Sequence, residues 1–142
     1  MSEIVAAYGL AIVMALVLVL SVHIQNLLSA QFKIVRGKQP PGVPAEGNYG
    51  DKTFRVYRTH MNSVENLSMF IAALVFAILA GVNPVLVNWL AVIHVAARTA
   101  YWGVYYAGIG INAPGLRTIC FVIGFFSSIA LTIAALVSVI WS

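Results

Sequence analysis

The sequence has 142 residues, of which 61% are hydrophobic and only 8% are charged. A soluble domain carries about 25% charged residues because its surface faces water, so this composition excludes an ordinary soluble globule and favours one membrane domain. The net charge of +4 comes largely from basic residues between positions 33 and 58, a placement typical of a cytoplasmic loop rather than of a nucleic-acid-binding face.

The first predicted element is a membrane-spanning helix over about residues 4–32. Residues 4–20 form an apolar run, and a spanning helix needs about 20 such residues. We expect the helix to be retained, because no signal-cleavage pattern follows the run. Polar residues gather towards its end, where they lie at a membrane face or point into the bundle: Ser21, His23, Gln25, Asn26 and Ser29.

Three more helices are predicted after it. Residues 33–52 are rich in proline and glycine, which break helices, so this segment is expected to be a loop. Helix two covers about 53–80, helix three about 84–106 with Pro84 in its first turn, and helix four about 116–141. The sequence therefore predicts an all-α, integral membrane, four-helix bundle.

The distribution of basic residues predicts the orientation of this bundle. Four spans place both termini on one side, and the loop at 33–52 lies on the other side together with Arg117. Because lysine and arginine are enriched in cytoplasmic loops, we expect the long loop to be cytoplasmic and both termini to lie opposite. A bacterial inner membrane and the endoplasmic reticulum both fit this pattern.

Polar and aromatic residues recur at helical spacing on three of the predicted helices. On helix two they follow i, i+3, i+7 and i+10: Arg55, Arg58, Asn62 and Glu65. On helix three they follow i, i+4, i+7 and i+11: His94, Arg98, Tyr101 and Tyr105. On helix four the series is Arg117, Phe121, Gly124 and Ser128. Such spacing places each series on one helix face, so the three faces are expected to line one pocket.

A charge at membrane depth indicates either a structural ion pair or a site. One interpretation is that Glu65 pairs with Arg98 and only holds helices two and three together. That pair explains neither Arg58 nor Arg117. The surplus of arginine favours a small ligand with a carboxylate, which arginine binds through two parallel hydrogen bonds, and with an amine that Glu65 accepts.

Several other residues have plainer explanations. His60 and His94 lack the cysteine or acidic neighbours of a zinc or haem site, so no metal is expected. Trp102 and Tyr106 fit an aromatic belt at the membrane interface. The lone cysteine, Cys120, lies in an apolar run and is expected to be a small hydrophobic residue.

Three segments resemble the membrane-associated proteins in eicosanoid and glutathione metabolism, the MAPEG family. Residues 58–66, Arg-Thr-His-Met-Asn-Ser-Val-Glu-Asn, are similar to the helix-two pattern of the family. Residues 97–101, Ala-Arg-Thr-Ala-Tyr, followed by Tyr105, are similar to its helix three. Residues 113–118, Ala-Pro-Gly-Leu-Arg-Thr, resemble the opening of its helix four. The four-span layout agrees along nearly the whole chain.

The resemblance implies a homotrimer that binds glutathione between subunits near the cytoplasmic side. Arg117 is then the catalytic residue, because a guanidinium near sulfur favours the thiolate that attacks a lipophilic electrophile or hydroperoxide arriving from the bilayer. The residues implied to contact or organise glutathione are Arg58, Asn62, Glu65, Arg98, Tyr101, Tyr105 and Phe121. The wording of helix two is closest to the microsomal glutathione transferase branch.

The sequence also departs from the family. Phe121 stands where several members have a tyrosine near the thiol, and Met61 and Tyr101 replace an arginine and a histidine of the prostaglandin-synthase branch. These differences favour a transferase or peroxidase over a dedicated eicosanoid synthase. They leave open a non-catalytic binding or scaffold protein of the same fold, and a small transporter with Glu65 as a proton site.

Overall fold

The computed structural model describes residues 2–110 and 115–141, and there the chain forms four α-helices. They are α1 (Ser2–Gln31), α2 (Lys52–Leu79), α3 (Pro84–Ala107) and α4 (Leu116–Ile140). The prediction of an all-α four-helix bundle is confirmed. Asn112, Ala113 and Pro114, which belong to the predicted third loop and to the third family-like segment, lie outside the described residues.

The first helix continues further than its apolar sequence indicated. A π-helical turn, Phe32–Arg36, follows α1 directly, so the loop begins near Gly37 rather than at Lys33. Lys33 is consequently not a loop residue but a buried side chain between the end of α1 and the loop. Ser29 and Gln25, one and two turns earlier, are also buried, which places this polar stripe of α1 inside the bundle.

Local sequence explains where the next helices begin and end. The Asp51 carboxylate accepts the backbone N–H groups of Thr53 and Phe54 at 2.6 and 3.4 Å, which caps α2. The Asn83 side chain caps α3 in the same way, and Pro84 occupies the first turn, where its missing N–H costs nothing. Gly108 ends α3 in the left-handed conformation, with φ of 70°.

The helices pack so that α3 and α4 share the largest interface, and α1 packs on both α2 and α3. Hydrogen bonds lock the end of the bundle that lies away from the long loop. The Tyr8 hydroxyl donates to Val82 O at 2.7 Å, and the Ser138 hydroxyl donates to Ala80 O at 2.6 Å. The Asn88 amide bridges two backbone groups of α1, at Ala7 and Ala11. Polar groups therefore hold this end of the bundle together, because the hydrocarbon of a membrane offers them no other hydrogen-bond partner.

The outer surface of the bundle is apolar. Large hydrophobic side chains are exposed along its length, among them Leu16, Leu27, Phe76, Trp89 and Leu136. In the described chain, three segments are long and apolar enough to cross a membrane: Glu3–Arg36, Lys52–Leu79 and Leu116–Ile140. The helix α3 falls outside this group because its inward face carries polar residues, so its role as a fourth span stays a prediction.

Candidate functional site

The helix-two series forms a charged surface at the open side of α2. Arg58 Nη1 donates to Glu65 Oε1 at 2.9 Å, and the two side chains are 42% and 48% exposed. The interpretation that Glu65 pairs with Arg98 is wrong, because Glu65 lies on the same face as Arg58, two turns along α2, and is bound to it instead. The pair stays accessible to a ligand on this side of the bundle.

Arg98 is held in the interior by an amide rather than by a carboxylate. It is 2% exposed, and its Nη2 donates to Asn62 Oδ1 at 2.7 Å. Its Nη1 is buried and has no acceptor among the described residues. The guanidinium lies 4.7 Å from the centre of the Tyr101 ring, within the range of a cation–π interaction. Arg98 therefore keeps an unused donor beside the α2 face.

The close approach of α4 to α3 positions the side chain of Arg98. Gly124 is buried, and a Cβ atom at its position would lie 3.2 Å from Cδ of Arg98. A larger residue at this position would therefore displace the arginine stem. Gly124, which belongs to the helix-four series, thus provides the surface on which Arg98 packs.

Aromatic rings connect α3 to α4. The ring centres of Tyr101 and Tyr105 are 5.4 Å apart, and Phe121 lies 6.2 Å from Tyr101. Both tyrosines are close enough to Arg58 and Arg117 to interact with their charges. The rings therefore form one wall of a cluster whose charged members come from three helices.

Arg117 lies against this wall without a carboxylate partner. Its guanidinium is 4.6 Å from the ring centre of Tyr49 and 5.5 Å from that of Tyr105, and these rings meet edge to face at 4.9 Å. In the part of the chain that the structure describes, Arg58–Glu65 is the only ion pair. The guanidinium of Arg117 thus contacts two ring faces and no carboxylate of the described residues, and its positive charge remains available to an anion.

Tyr49 is a member of the cluster that sequence reasoning missed. Its hydroxyl donates to Ile109 O at 3.1 Å, and Arg55 Nη1 donates to the backbone carbonyls of Tyr49 and Gly50 at 2.9 Å each. Tyr49 lies in the long loop, where helical spacing gives no signal. The available signal was an aromatic residue two positions before the α2 cap, close to the start of the basic face.

The structure thus brings together most of the predicted site residues. Arg58, Glu65, Tyr101, Tyr105 and Arg117 surround one region, and Arg98 and Asn62 form its floor. Phe121 contributes a ring from α4 and no hydroxyl, and it stacks on Phe125 at 6.0 Å.

An apolar groove extends from this cluster down the bundle between α2 and α4. Its volume is about 590 Å³, within the range of small-molecule sites. Asn66 and His94 line the groove near the cluster, and Phe76 and Leu136 line it further down. Because Asn66 donates to Asn62 O at 2.8 Å, the groove and the polar cluster share a boundary. The arrangement places a polar ligand next to a space suited to a lipophilic one.

Other polar and aromatic residues singled out by the sequence have structural roles. His94 stacks on Phe70 with ring centres 3.8 Å apart, and its Nδ1 lies 2.9 Å from Gly124 O. The prediction that Trp102 belongs to an interfacial belt is wrong, because it is 8% exposed and packs in the core, as does Cys120. No group of three or more metal-ligating side chains occurs among residues 2–110 and 115–141.

The model of the MAPEG family matches residues 5–137, nearly the whole chain and all four helices. None of the curated proteins matches the sequence.

Proposed function

The chain belongs to the MAPEG family, and from that premise we propose that it is a membrane-bound glutathione transferase or peroxidase. Family membership and its apolar helices make it an integral membrane protein of glutathione and eicosanoid metabolism. The activity itself is the proposal. The observation that carries it is the guanidinium of Arg117, which lies on two tyrosine rings with no carboxylate beside it.

Glutathione matches the charges of the cluster. It has two carboxylates, one amine and one thiol, and the cluster offers arginine donors and a single carboxylate. Arg58 is accessible and suits a carboxylate oxygen, while Glu65 suits the amine. Arg98 lies beneath them, where its buried charge supports the binding of an anion from inside the bundle. Tyr101 and Tyr105 supply ring surfaces and hydroxyls beside these charges. We assign Asn62 to positioning, since its amide oxygen holds Arg98 in place.

Arg117 is proposed to favour the thiolate form of glutathione. A thiol of ordinary pKa about 8.5 is mostly protonated at neutral pH, and the thiolate is the nucleophile. A positive charge close to sulfur stabilises the thiolate and lowers the thiol pKa. Phe121 offers no hydroxyl to share this task, so the guanidinium acts without help from that position.

The reaction then follows in balanced steps. The thiol proton passes to solvent, and the sulfur lone pair forms a bond to an electrophilic carbon while the leaving group departs with its electron pair. With a hydroperoxide, the thiolate attacks the terminal oxygen and the O–O bond breaks, which converts glutathione to its sulfenic acid. The departing alkoxide takes a proton from solvent and leaves as the alcohol. A second glutathione thiol then reduces the sulfenic acid, which gives glutathione disulfide and water.

The second substrate and the assembly extend the proposal. A lipophilic electrophile or hydroperoxide would enter from the bilayer through the apolar groove between α2 and α4. Similarity to the microsomal glutathione transferase branch favours a homotrimer with glutathione between subunits. The charge distribution favours a cytoplasmic long loop, with both termini opposite, in a bacterial inner membrane or the endoplasmic reticulum.

The missing hydroxyl at Phe121 supports one alternative function. Phe121 gives its ring to Tyr101 and Phe125 but has no proton to offer, which suits a non-catalytic protein that binds a ligand in the same cluster. Such a protein would show a glutathione-dependent rise in thermal stability and no turnover of a chlorodinitrobenzene or a lipid hydroperoxide.

Turnover by an arginine variant tests the catalytic assignment. Arg117→Ala in detergent is expected to lower conjugation of chlorodinitrobenzene about a hundredfold, the scale of losing one electrostatic donor to a developing charge. Arg36→Ala removes an exposed arginine from the same end of the bundle and is expected to retain full turnover. Equal turnover in both variants, with the wild-type unfolding temperature, would refute the role of Arg117.

A further inference from the structure

Arg55 belongs to the polar series of α2, and the proposed glutathione site gives it no task. No ion pair involves Arg55 in the described part of the chain, where Arg58 and Glu65 form the only one. Nη1 of Arg55 instead donates to two successive backbone carbonyls of the long loop, those of Tyr49 and Gly50, at 2.9 Å each. Hydrogen bonds from a charged donor are stronger than those between neutral groups. Arg55 therefore fixes one point of the loop to the start of α2.

The loop segment that Arg55 holds is a tight turn that begins at Asn48. The Asn48 side chain accepts the N–H of Gly50 at 2.8 Å, and Asn48 O accepts the N–H of Asp51 at 2.9 Å. Asparagine favours such turns because its side chain can bond to the backbone two residues on. The turn satisfies these N–H groups internally, and the carbonyls of Tyr49 and Gly50 are left for the guanidinium of Arg55.

The same guanidinium packs against the end of α3. A Cβ atom at Gly108 would lie 3.1 Å from Cζ of Arg55, closer than side chains ordinarily pack, so the glycine leaves the room that the guanidinium occupies. One residue further on, Ile109 O accepts the hydroxyl of Tyr49 at 3.1 Å. Arg55 and Tyr49 thus connect the start of α2, the long loop and the end of α3.

The ring of Tyr49 links this junction to Arg117. Its centre lies 6.0 Å from the guanidinium of Arg55 and 4.6 Å from that of Arg117. The second ring at Arg117, that of Tyr105, meets Tyr49 edge to face at 4.9 Å. Because Arg117 has no ion-pair partner among the described residues, these two ring faces orient its guanidinium. Displacement of Tyr49 would remove one of them.

We propose that Arg55 is a positioning residue for the reaction, an inference that rests on the proposed role of Arg117. Arg55 holds the backbone of Tyr49, and the Tyr49 ring holds the guanidinium of Arg117 at the place of the glutathione thiol. Arg55 acts through Tyr49 and not through its own contact with the thiol. Misplacement of a catalytic group by about 1 Å can cost about a hundredfold in rate, so a fixed loop at this point has a large effect on the chemistry.

Chemical modification of arginine tests this link without glutathione. Phenylglyoxal reacts with accessible guanidinium groups, and peptide mass spectrometry gives the rate at each arginine of the protein in detergent. Arg117 is half-buried and should react more slowly than the exposed Arg36, which serves as the reference in every sample. Arg55→Met and Tyr49→Leu should each speed the reaction of Arg117 several-fold, the scale of a lost cation–π contact. Tyr49→Phe keeps the ring and should stay within about twofold of wild type.

The pH titration of the glutathione thiolate tests whether Arg55 acts through Tyr49. Arg55→Met should give several-fold less thiolate at neutral pH, while the affinity for glutathione below neutral pH stays within about threefold of wild type. Arg55→Met combined with Tyr49→Leu should be no worse than Tyr49→Leu alone, because both changes break the same link. Arg55→Lys should retain most of the thiolate, since an ammonium can also donate to both carbonyls.

The two measurements separate this proposal from the proposed enzyme. If Arg117 reacts as fast as Arg36 in wild type, or at the wild-type rate in both Arg55→Met and Tyr49→Leu, Arg55 does not position it. A further loss of thiolate in the double variant would show that Arg55 acts directly through its charge and would overturn the proposal. Absence of the thiolate in wild type would refute the enzyme, while the modification rates would still decide the link. Arg55→Gln, whose side chain is too short to reach the carbonyls, replaces Arg55→Met if that variant does not fold.

Discussion

The hydrogen bond between Arg98 and Asn62 connects α3 to α2 in the interior of the bundle. Asn62 is 8% exposed and Arg98 is 2% exposed, and Nη2 lies 2.7 Å from Oδ1. No other hydrogen-bond acceptor for Arg98 occurs in the described chain, and its Nη1 already lacks one. The free energy of unfolding should therefore depend strongly on whether both partners are present.

Asn62→Leu leaves a buried guanidinium without its acceptor. A lost hydrogen bond to a charged group costs about 2 kcal/mol, and we expect the free energy of unfolding to fall by that amount. Adding Arg98→Met removes the stranded charge and leaves an apolar side chain of similar length. Replacing both polar partners is much less costly than removing one, so the double variant should be about 2 kcal/mol more stable than the sum of single effects predicts.

The assay is denaturant unfolding in detergent without glutathione, for wild type, both single variants and the double variant. The matched control is Asn88→Leu combined with Arg98→Met, because the Asn88 amide bonds to backbone groups of α1 and shares no partner with Arg98. Its effects should add to within about 0.5 kcal/mol. A coupling energy for Asn62 and Arg98 no larger than that of the control would refute the interpretation of this bond.

Three further predictions follow from the same geometry. Glu65→Gln should change the free energy of unfolding by less than about 1 kcal/mol, because the ion pair of Glu65 is exposed. The same variant should weaken glutathione binding about tenfold in calorimetry. Unchanged affinity would show that Glu65 does not belong to the site. Gly124→Leu should destabilise the protein by about 1–3 kcal/mol in the same unfolding assay, because the new side chain displaces Arg98. Gly103→Leu should be tolerated, because a Cβ atom at that position meets nothing within 4 Å. Equal losses in the two variants would refute the close packing at Gly124. Tyr49→Leu should reduce glutathione thiolate formation several-fold, since a cation–π contact contributes about 0.5–2 kcal/mol. Tyr49→Phe keeps the ring and should form the thiolate as wild type does. Equal loss in both variants would assign the effect to the hydroxyl.

Helical spacing alone predicted much of the fold and of the cluster. Apolar runs separated by proline and glycine were sufficient for four helices, and Pro84 marked the start of α3. The i, i+7 spacing of Arg58 and Glu65 placed them on one face, where the structure has them bound to each other. These features depend on residues close in sequence, which is why periodicity captures them.

Pairing between helices could not be predicted in the same way. Arg98 selects Asn62 rather than Glu65 because the axial register of α2 against α3 decides which side chain lies at its height. Spacing within each helix carries no information on that register. Trp102 likewise turns inward because of how α3 rotates against its neighbours, although its position near the helix end resembled an interfacial anchor.

The surrounding sequence was misleading for two residues, Tyr49 and Lys33. Tyr49 belongs to a loop, and its place beside Arg117 results from the fold of that loop over the end of α3. Lys33 was counted among exposed loop charges, although Gln25, Ser29 and Lys33 follow one another at helical spacing. The π-helical turn extends that stripe and buries the ammonium.

Ultraviolet absorbance of the glutathione thiolate tests the central claim most directly. Purified protein with glutathione is titrated from acid to alkaline pH, beside Arg117→Ala and Arg117→Lys. The account predicts a thiolate that appears well below the ordinary thiol pKa of about 8.5 in wild type and is lost in Arg117→Ala. Arg117→Lys, which keeps the charge but not the planar stacking, should show a partial effect. Glutathione that binds to the wild-type protein but stays protonated through neutral pH would contradict the proposed enzyme and favour the non-catalytic alternative.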